Sequence, residues 1–433
     1  MTHALIDFLT AKNHPLRTAL TDEMHVRRFP SFIAPMRMTQ LVMLTGEQPA
    51  DQARQHAEAL CARYSVAPPK GKYFSVRLGK LQMVWEHHTE FSTYSFIESD
   101  ASGDAFAQPV LLDVPHDWVQ ALPGQVLRAT QVALLDRLQP EPDDALLAAC
   151  FSAADLMSCE VSGGEARIWS DFKLNQDGLG RLLIRDQALK SAGDTARLVQ
   201  RLQELGNYRN MAMLGLPVAQ SLTATLSSLE KQLASLAHEI AAGAAADARL
   251  LNELSNLSAN LARITAETRY RMTATRAYAQ LVTDRLRSLD VRRVPGYQTL
   301  VDFTERRLTP AVRTCDSFTQ RLEDLSQRVS WASSLMQTRI ETKLARQNTE
   351  LLQSMNQRTQ MQLRLQQTVE GLSVLAISYY FIGILGYIAK PVALRFPVVD
   401  SAIALGVAAP LVVAIAWWLM RRLRSRASRA DSV

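Results

Sequence analysis

The chain has 433 residues and a formal net charge of +6 at pH 7, from 48 Lys and Arg against 42 Asp and Glu. That length accommodates a folded domain together with an elongated helical part. The basic surplus lies partly at the C-terminus and includes no basic patch interleaved with aromatics, so no nucleic-acid partner is expected.

Residues 1–192 read as mixed α/β, an α+β cytoplasmic domain. The first residues lack a continuous apolar h-region, so no signal peptide is predicted. Cys61, Cys150, Cys159 and Cys315 show no CxxC spacing and read as reduced structural thiols, which suits the cytoplasm. A strand is predicted over Met36–Leu44, then a helix over 51–63 with Ala53, Ala57, Leu60 and Cys61 at helical spacing. Residues 73–97 are rich in β-branched and aromatic side chains, and Gly79-Lys80 can fold them into a hairpin. A strand is expected over 126–135. Residues 156–161 and 166–172 flank Gly163-Gly164, a strong hairpin signal, and 179–184 form one more strand. This order predicts a sheet with antiparallel pairs, covered by a few helices.

Residues 193–308 form a region of long coiled helices. The stretches 194–240 and 244–289 are helical almost throughout, with stripes at Leu222, Leu226, Leu229, Leu233, Leu236 and Ile240, then Leu250, Leu254, Leu257, Leu261 and Ile264. Gly243 is the expected break between them, and Val294-Pro295-Gly296 closes the second. A stalk helix is predicted over 309–370, opened by Thr309-Pro310. At about 1.5 Å per residue it would reach roughly 90 Å. Phe318, Leu322, Leu325, Val329, Ala332 and Met336 make a heptad-like seam, which Ile340, Leu344 and Leu351 continue with gaps. The seam must be buried against the preceding helices or against copies of itself. Glutamines (Gln353, Gln357, Gln360, Gln362, Gln366, Gln367) then take over, as a solvated neck or the lining of a wet passage.

Residues 371–388 and 401–420 carry no charge, and each is near the length of about 20 residues that crosses a bilayer core. They predict a transmembrane hairpin with a short outer loop over 389–400. Tyr387, Trp417 and Trp418 fall at interface positions. The alternative is a pair of buried helices in a soluble core. The tail 421–433, with Arg421, Arg422, Arg424, Arg426 and Arg429, is expected in the cytoplasm beside an anionic lipid surface. Two spans then put both termini in the cytoplasm.

Two clusters could carry chemistry. In 85–90 (WEHHTE), strand alternation would put Glu86, His88 and Glu90 on one face, a set suited to a divalent metal such as zinc or manganese. The ordinary reading is a polar strand face with cross-strand pairs. Near the N-terminus, His14, Arg17, His25, Arg27, Arg28 and Arg37 could receive a phosphate or carboxylate, or form salt bridges with Asp22 and Glu23. Gly163-Gly164 and Gly178-Leu179-Gly180 are too short and wrongly framed to cradle phosphate, and GxSxG, HExxH and Walker sequences are absent. Enzyme activity has weak support.

The phrases HPLRTALTDEMHVRRF (14–29), APMR (34–37) and WEHHTEFSTYSF (85–96) resemble a family of uncharacterised bacterial membrane-anchored proteins with a domain of unknown function. His87 departs from it, standing where that family has arginine. The resemblance covers most of the chain and implies a location in the bacterial plasma membrane, without an activity. From about residue 194 the order of elements resembles the CorA-type metal-ion transporters, pentamers whose first span lines a pore. In that family the first span ends in Gly-Met-Asn. Here Gly386-Tyr387-Ile388 stands at that place, and isoleucine has no oxygen to hold hydration water. Gly383, Gly386, Tyr387 and Ile388 are the pore candidates. The outer loop carries Lys390 and Arg395, with Asp400 its only acid, which disfavours cations. The leading expectation is a membrane-anchored homo-oligomer with a cytoplasmic sensing or scaffolding domain. An ion transporter of altered selectivity and a metal-dependent enzyme are the alternatives.

Overall fold

The computed structural model describes residues 10, 12–25, 29–46, 50–67, 71–99, 103–243, 246–393 and 401–430. They fall into two compact units, 1–332 and 333–433.

The first unit is built on one sheet of nine strands among the described residues. The strands are β1 (Met36–Leu44), β2 (Tyr73–Leu78), β3 (Leu81–His87), β4 (Phe91–Ser99), β5 (Gln125–Leu135), β6 (Met157–Val161), β7 (Ala166–Ser170), β8 (Gly180–Asp186) and β9 (Arg292–Arg293). Their order is β2-β3-β4-β1-β5-β8-β7-β6-β9. Every strand pair is antiparallel except β5 with β8, which run parallel. The helices are α1 (Arg17–His25), α2 (Ala50–Arg63), α3 (His116–Gln120), α4 (Asp144–Cys150), α5 (Ala192–Met213), α6 (Gly215–Ala242), α7 (Asp247–Ser288), α8 (Leu300–Ala393) and α9 (Ser401–Ala430).

Strand β1 shows why both faces are covered. Side chains alternate along a strand. Met36, Met38 and Val42 enter one core with Val132, Ile184 and the α5 residues Leu198, Leu202 and Leu205. Leu41 and Met43 enter another, with Ala53, Ala57, Leu60 and Cys61 of α2 and the rings of Trp85, Tyr94, Phe96 and Trp118. With a core on each side, the strand is buried almost throughout, and its polar residues Arg37 and Gln40 are held by Glu98 and Ser95.

Most of the predicted strands form where the pattern places them, and the departures have local causes. Residues 73–97 hold two turns rather than one. After the turn at Gly79-Lys80, β3 ends at His87, and the His88 N–H donates to the Phe91 carbonyl at 2.8 Å. His88 and Glu90 therefore sit in a turn, and the expected strand alternation does not apply to them. Stretch 194–240 is two helices, because α5 ends at Met213 and α6 begins at Gly215. A Cβ at Gly215 would lie 2.3 Å from Thr275 Oγ1 and 3.2 Å from Cys315 Sγ, so helices meet there without room for a side chain. Gly243 caps α6 at φ +69°, as expected of a break. Strand β9 was not anticipated; Arg292 and Arg293 pair with Glu160 and Cys159.

The long helix starts at Leu300, not Thr309. Thr299 and Asp302 cap it reciprocally: the Asp302 N–H donates to Thr299 Oγ1 (3.1 Å), and the Thr299 N–H donates to Asp302 Oδ2 (3.2 Å). Pro310 consequently lies inside α8. The seam residues Phe318, Leu322, Leu325 and Val329 are buried within the chain itself. Arg321 of α8 pairs with Glu230 of α6 at 2.8 Å, and Arg276 of α7 pairs with Asp316 at 2.7 Å.

The second unit consists of the remainder of α8 and α9. Leu344 and Leu351 are exposed on α8, so the stripe predicted there is uncovered. The apolar stretch of α8 is long and apolar enough, by length and composition, to cross a membrane. In α9 the apolar stretch with described side chains, Gly406–Leu419, is shorter. Helix α8 runs through the start of the expected outer loop; residues 394–400 and 431–433 lie outside the described residues.

Candidate functional site

The predicted clusters are only partly brought together. His88 Nε2 lies 3.5 Å from Glu86 Oε2, and the His88 ring stacks on Phe91 at 4.2 Å. Glu90 is buried and turned away to Arg271 of α7, whose Nη2 donates to its Oε2 at 2.6 Å. Among the described residues no group of three or more His, Cys, Asp or Glu is placed to hold a metal ion. In the N-terminal cluster, Arg37 is committed to Glu98 at 2.7 Å. Burial pushes the Glu98 carboxyl up, but Arg37 and Lys80 outweigh it and hold the group below its ordinary value. His14 Nδ1 accepts from the Leu16 N–H, and Arg17 reaches Asn13 at 3.5 Å, both exposed. His25 ends α1, and Arg27 and Arg28 lie outside the described residues. Of the pore candidates, Gly383, Tyr387 and Ile388 are exposed and Gly386 is half-buried along α8. Nothing lies within 4 Å of where a Cβ on Gly383 would be.

A different site is assembled beneath α5. Strand β5 directs Arg128 onto the face that α5 covers, among the apolar residues of that core. Its Nη1 donates to Gln203 Oε1 (2.7 Å), Asn207 Oδ1 (2.8 Å) and Gln40 Oε1 (3.2 Å). Gln203 and Asn207 are one helical turn apart on α5, so both amides point down at one nitrogen. Gln40 is held in turn, its Nε2 donating to Ser95 Oγ at 2.9 Å. Gly206 makes room for this arrangement. A Cβ there would lie 2.7 Å from Arg128 Cζ and Nη2 and 2.8 Å from Nε, so the guanidinium lies flat against the helix backbone.

One turn further along α5, Arg209 enters the same region. Its Cζ sits 4.2 Å from the centre of the Phe172 ring and 5.4 Å from that of Phe303, with Arg307 on Phe303 at 3.9 Å. The two rings are 4.3 Å apart. Phe172 has φ +53°, an uncommon backbone conformation for a bulky residue. Arg209 Nη1 is shut off from solvent and finds no hydrogen-bond partner among the described residues.

Both guanidinium groups are perturbed in the direction that burial dictates. Desolvation, followed by the repulsion of Arg209, pushes Arg128 down to about 9. Desolvation, followed by Arg307, brings Arg209 down to about 10. Both therefore remain charged at neutral pH. Among the described residues no carboxylate pairs with either one.

These arginines border a cavity of about 110 Å³ between β5, β7, β8 and α5. Its wall includes Leu127, Leu182, Leu202, Leu205, Phe172 and Leu300. On the other flank of α5 lies a smaller space of about 20 Å³, bordered by Glu86, His88, Gln203 and Asn207. Gln203 and Asn207 thus stand between the two. The space beside Glu86 and His88 suits about one water.

The chain matches, over residues 12–427, the family described as Protein of unknown function (DUF3422). It belongs to that family. The match takes in the sheet, the arginine cavity and both C-terminal helices, so all of them are parts of one family architecture. A comparison with curated proteins finds no match.

Neither Arg128 nor Arg209 stood out in the sequence. The available signal was Arg128 itself, a charge in the middle of the strand predicted over 126–135.

Proposed function

We propose that this family member is a membrane-anchored homo-oligomer whose N-terminal α/β unit senses a ligand on the cytoplasmic side. The observation that carries the anchoring is the apolar stretch of α8, of which 6% is buried. Leu372, Leu375, Ile377, Phe381 and Ile384 are each more than half exposed. Burying one such side chain contributes about 1.5–3 kcal/mol, so a contiguous set left in water is strongly unfavourable, and hydrocarbon removes the penalty. The arginines at the end of α9 support a cytoplasmic tail by the positive-inside rule. Conduction is not part of this reading, because Ile388 offers no oxygen to a hydrated cation. The sensing role rests on the cationic cavity and on the absence of a recognisable catalytic group beside it among the described residues.

The test is extraction of membranes from cells that express the full chain. Alkaline carbonate should leave the protein in the pellet, and detergent should release it. Release by carbonate alone would refute the anchor.

A further inference from the structure

We propose that the cavity beneath α5 binds the carboxylate of a small organic acid, received by Arg128 and Arg209, with the apolar wall taking the carbon skeleton. This identifies the ligand class of the sensing unit and rests on that reading for its role, while its chemistry lies wholly within the first unit.

The argument begins with charge. The cations around the cavity are not equivalent. Lys173 is paired with Asp155. Arg181 has Asp177 at 3.8 Å and donates to the Cys150 carbonyl at 3.3 Å. Asp171, which is buried, accepts the backbone N–H groups of Ser152 and Lys173 (2.9 and 3.1 Å). Among the described residues Arg128 meets neutral amide oxygens alone, and Arg209 meets aromatic faces. Buried charges in proteins are paired or coordinated, and one left alone is costly. Here two guanidinium groups, Arg128 and Arg209, border one cavity, and among the described residues no carboxylate pairs with either; a third, Arg307, lies on the Phe303 ring and feels Asp155. An anion in the cavity supplies what the chain does not.

Geometry narrows the anion. Arg128 is held by three oxygens and pressed on Gly206, so its guanidinium is fixed before any ligand arrives, which lowers the ordering cost of binding. Arg209 also borders the cavity, its guanidinium laid over the Phe172 ring. Guanidinium groups match planar carboxylates through paired N–H donors. Size and lining then decide between anions. A cavity of roughly 150 Å³ lined by Leu, Ile and Phe holds benzene; this one, at about 110 Å³, suits an acid of a few carbons. Beside the polar Thr130, Ser170 and Asn210, the wall offers Leu202, Leu205 and Phe172, a surface that the methylene and methyl groups of propionate would cover and the strongly hydrated oxygens of inorganic phosphate would not.

The experiment uses the full chain in detergent, followed by thermal unfolding and titration calorimetry. Sodium propionate is titrated against sodium chloride at matched ionic strength, with inorganic phosphate as a second probe. The expected result is a saturable rise in Tm with propionate, lost in Arg209→Gln. Should that variant fail to fold, Arg209→Lys keeps the charge without the planar fork and should weaken propionate binding by about tenfold. A propionate response equal to that of chloride would overturn the proposal. So would a response retained in full by the variants, or a stronger response to phosphate than to propionate. Binding in detergent does not depend on a bilayer, so its failure is distinguishable from failure of carbonate extraction to leave the protein in the pellet.

Discussion

Replacement of Gly206 by alanine tests whether Arg128 is held where the structure places it. The new Cβ would lie 2.7 Å from Arg128 Cζ and Nη2, and 2.8 Å from Nε. These separations are too short for nonbonded atoms, so the guanidinium has to withdraw. Withdrawal breaks its bonds to Gln203 and Asn207 and leaves two amide oxygens without a donor, on residues only 2% and 4% exposed. A hydrogen bond to a charged group contributes about 1.5–3 kcal/mol. Nη1 carries two hydrogens for three acceptors, so the low end applies, at about 3 kcal/mol for the set. Alanine returns about 1 kcal/mol as the better helix former. The net expectation is destabilisation by about 2 kcal/mol. Urea unfolding of the full chain measures it through the fluorescence of Trp85, Trp118 and Trp169, each fully buried in the first unit. Arg128→Met in the same background removes the clash and should expose the helix gain, a coupling that a double-mutant cycle reads directly. If Gly206→Ala alone proves as stable as the parent, or more stable, Arg128 is not fixed against α5 and the reasoning fails.

Two further predictions follow from the packing. Gly215→Val drives a branched side chain into Thr275 and Cys315, and overpacking of this kind costs about 1–3 kcal/mol or more; Tm should fall, and Thr275→Ala in the same background should recover part of the loss. His56 is held below its ordinary value of 6.5, first by burial, with Arg63 adding to it and a hydrogen bond to the Trp118 carbonyl opposing. The unfolded chain therefore takes up a proton at a pH where the folded chain does not, and stability should fall as pH drops from about 7.5 to 5. His56→Gln should flatten that slope, as read by urea midpoints; an unchanged slope would assign the proton uptake elsewhere.

The parts of the fold legible in the sequence are those fixed by local pattern. Strand β1 is predicted over the residues it occupies, six of its nine being apolar. Gly243 is legible as a break because a left-handed cap is a property of the residue itself. The break at Gly215 is not, since its cause is Thr275 on another helix, and a glycine inside a helical pattern reads only as a mild weakness. The start of α8 illustrates competing local signals. Pro310 suits a first turn, yet the reciprocal cap of Thr299 and Asp302 lies upstream and takes the helix start.

The candidate site was illegible for a related reason. Arg128 finds its three acceptors 88, 75 and 79 residues away in the chain. Glu90 finds Arg271 at a separation of 181. In the sequence Glu86, His88 and Glu90 look like a group and the scattered arginines do not; folding reverses this. The turn after His87 breaks the alternation, and the partner on α7 takes Glu90 out of the group. Meanwhile β5 and α5 bring Arg128 and Arg209 to one cavity. An unanswered charge is a property of an environment: an arginine in a sequence carries no mark of whether an acid waits for it. What singles out Arg128 and Arg209 is that every other cation bordering that cavity has found a carboxylate in the fold, whereas these two have found only amides and rings.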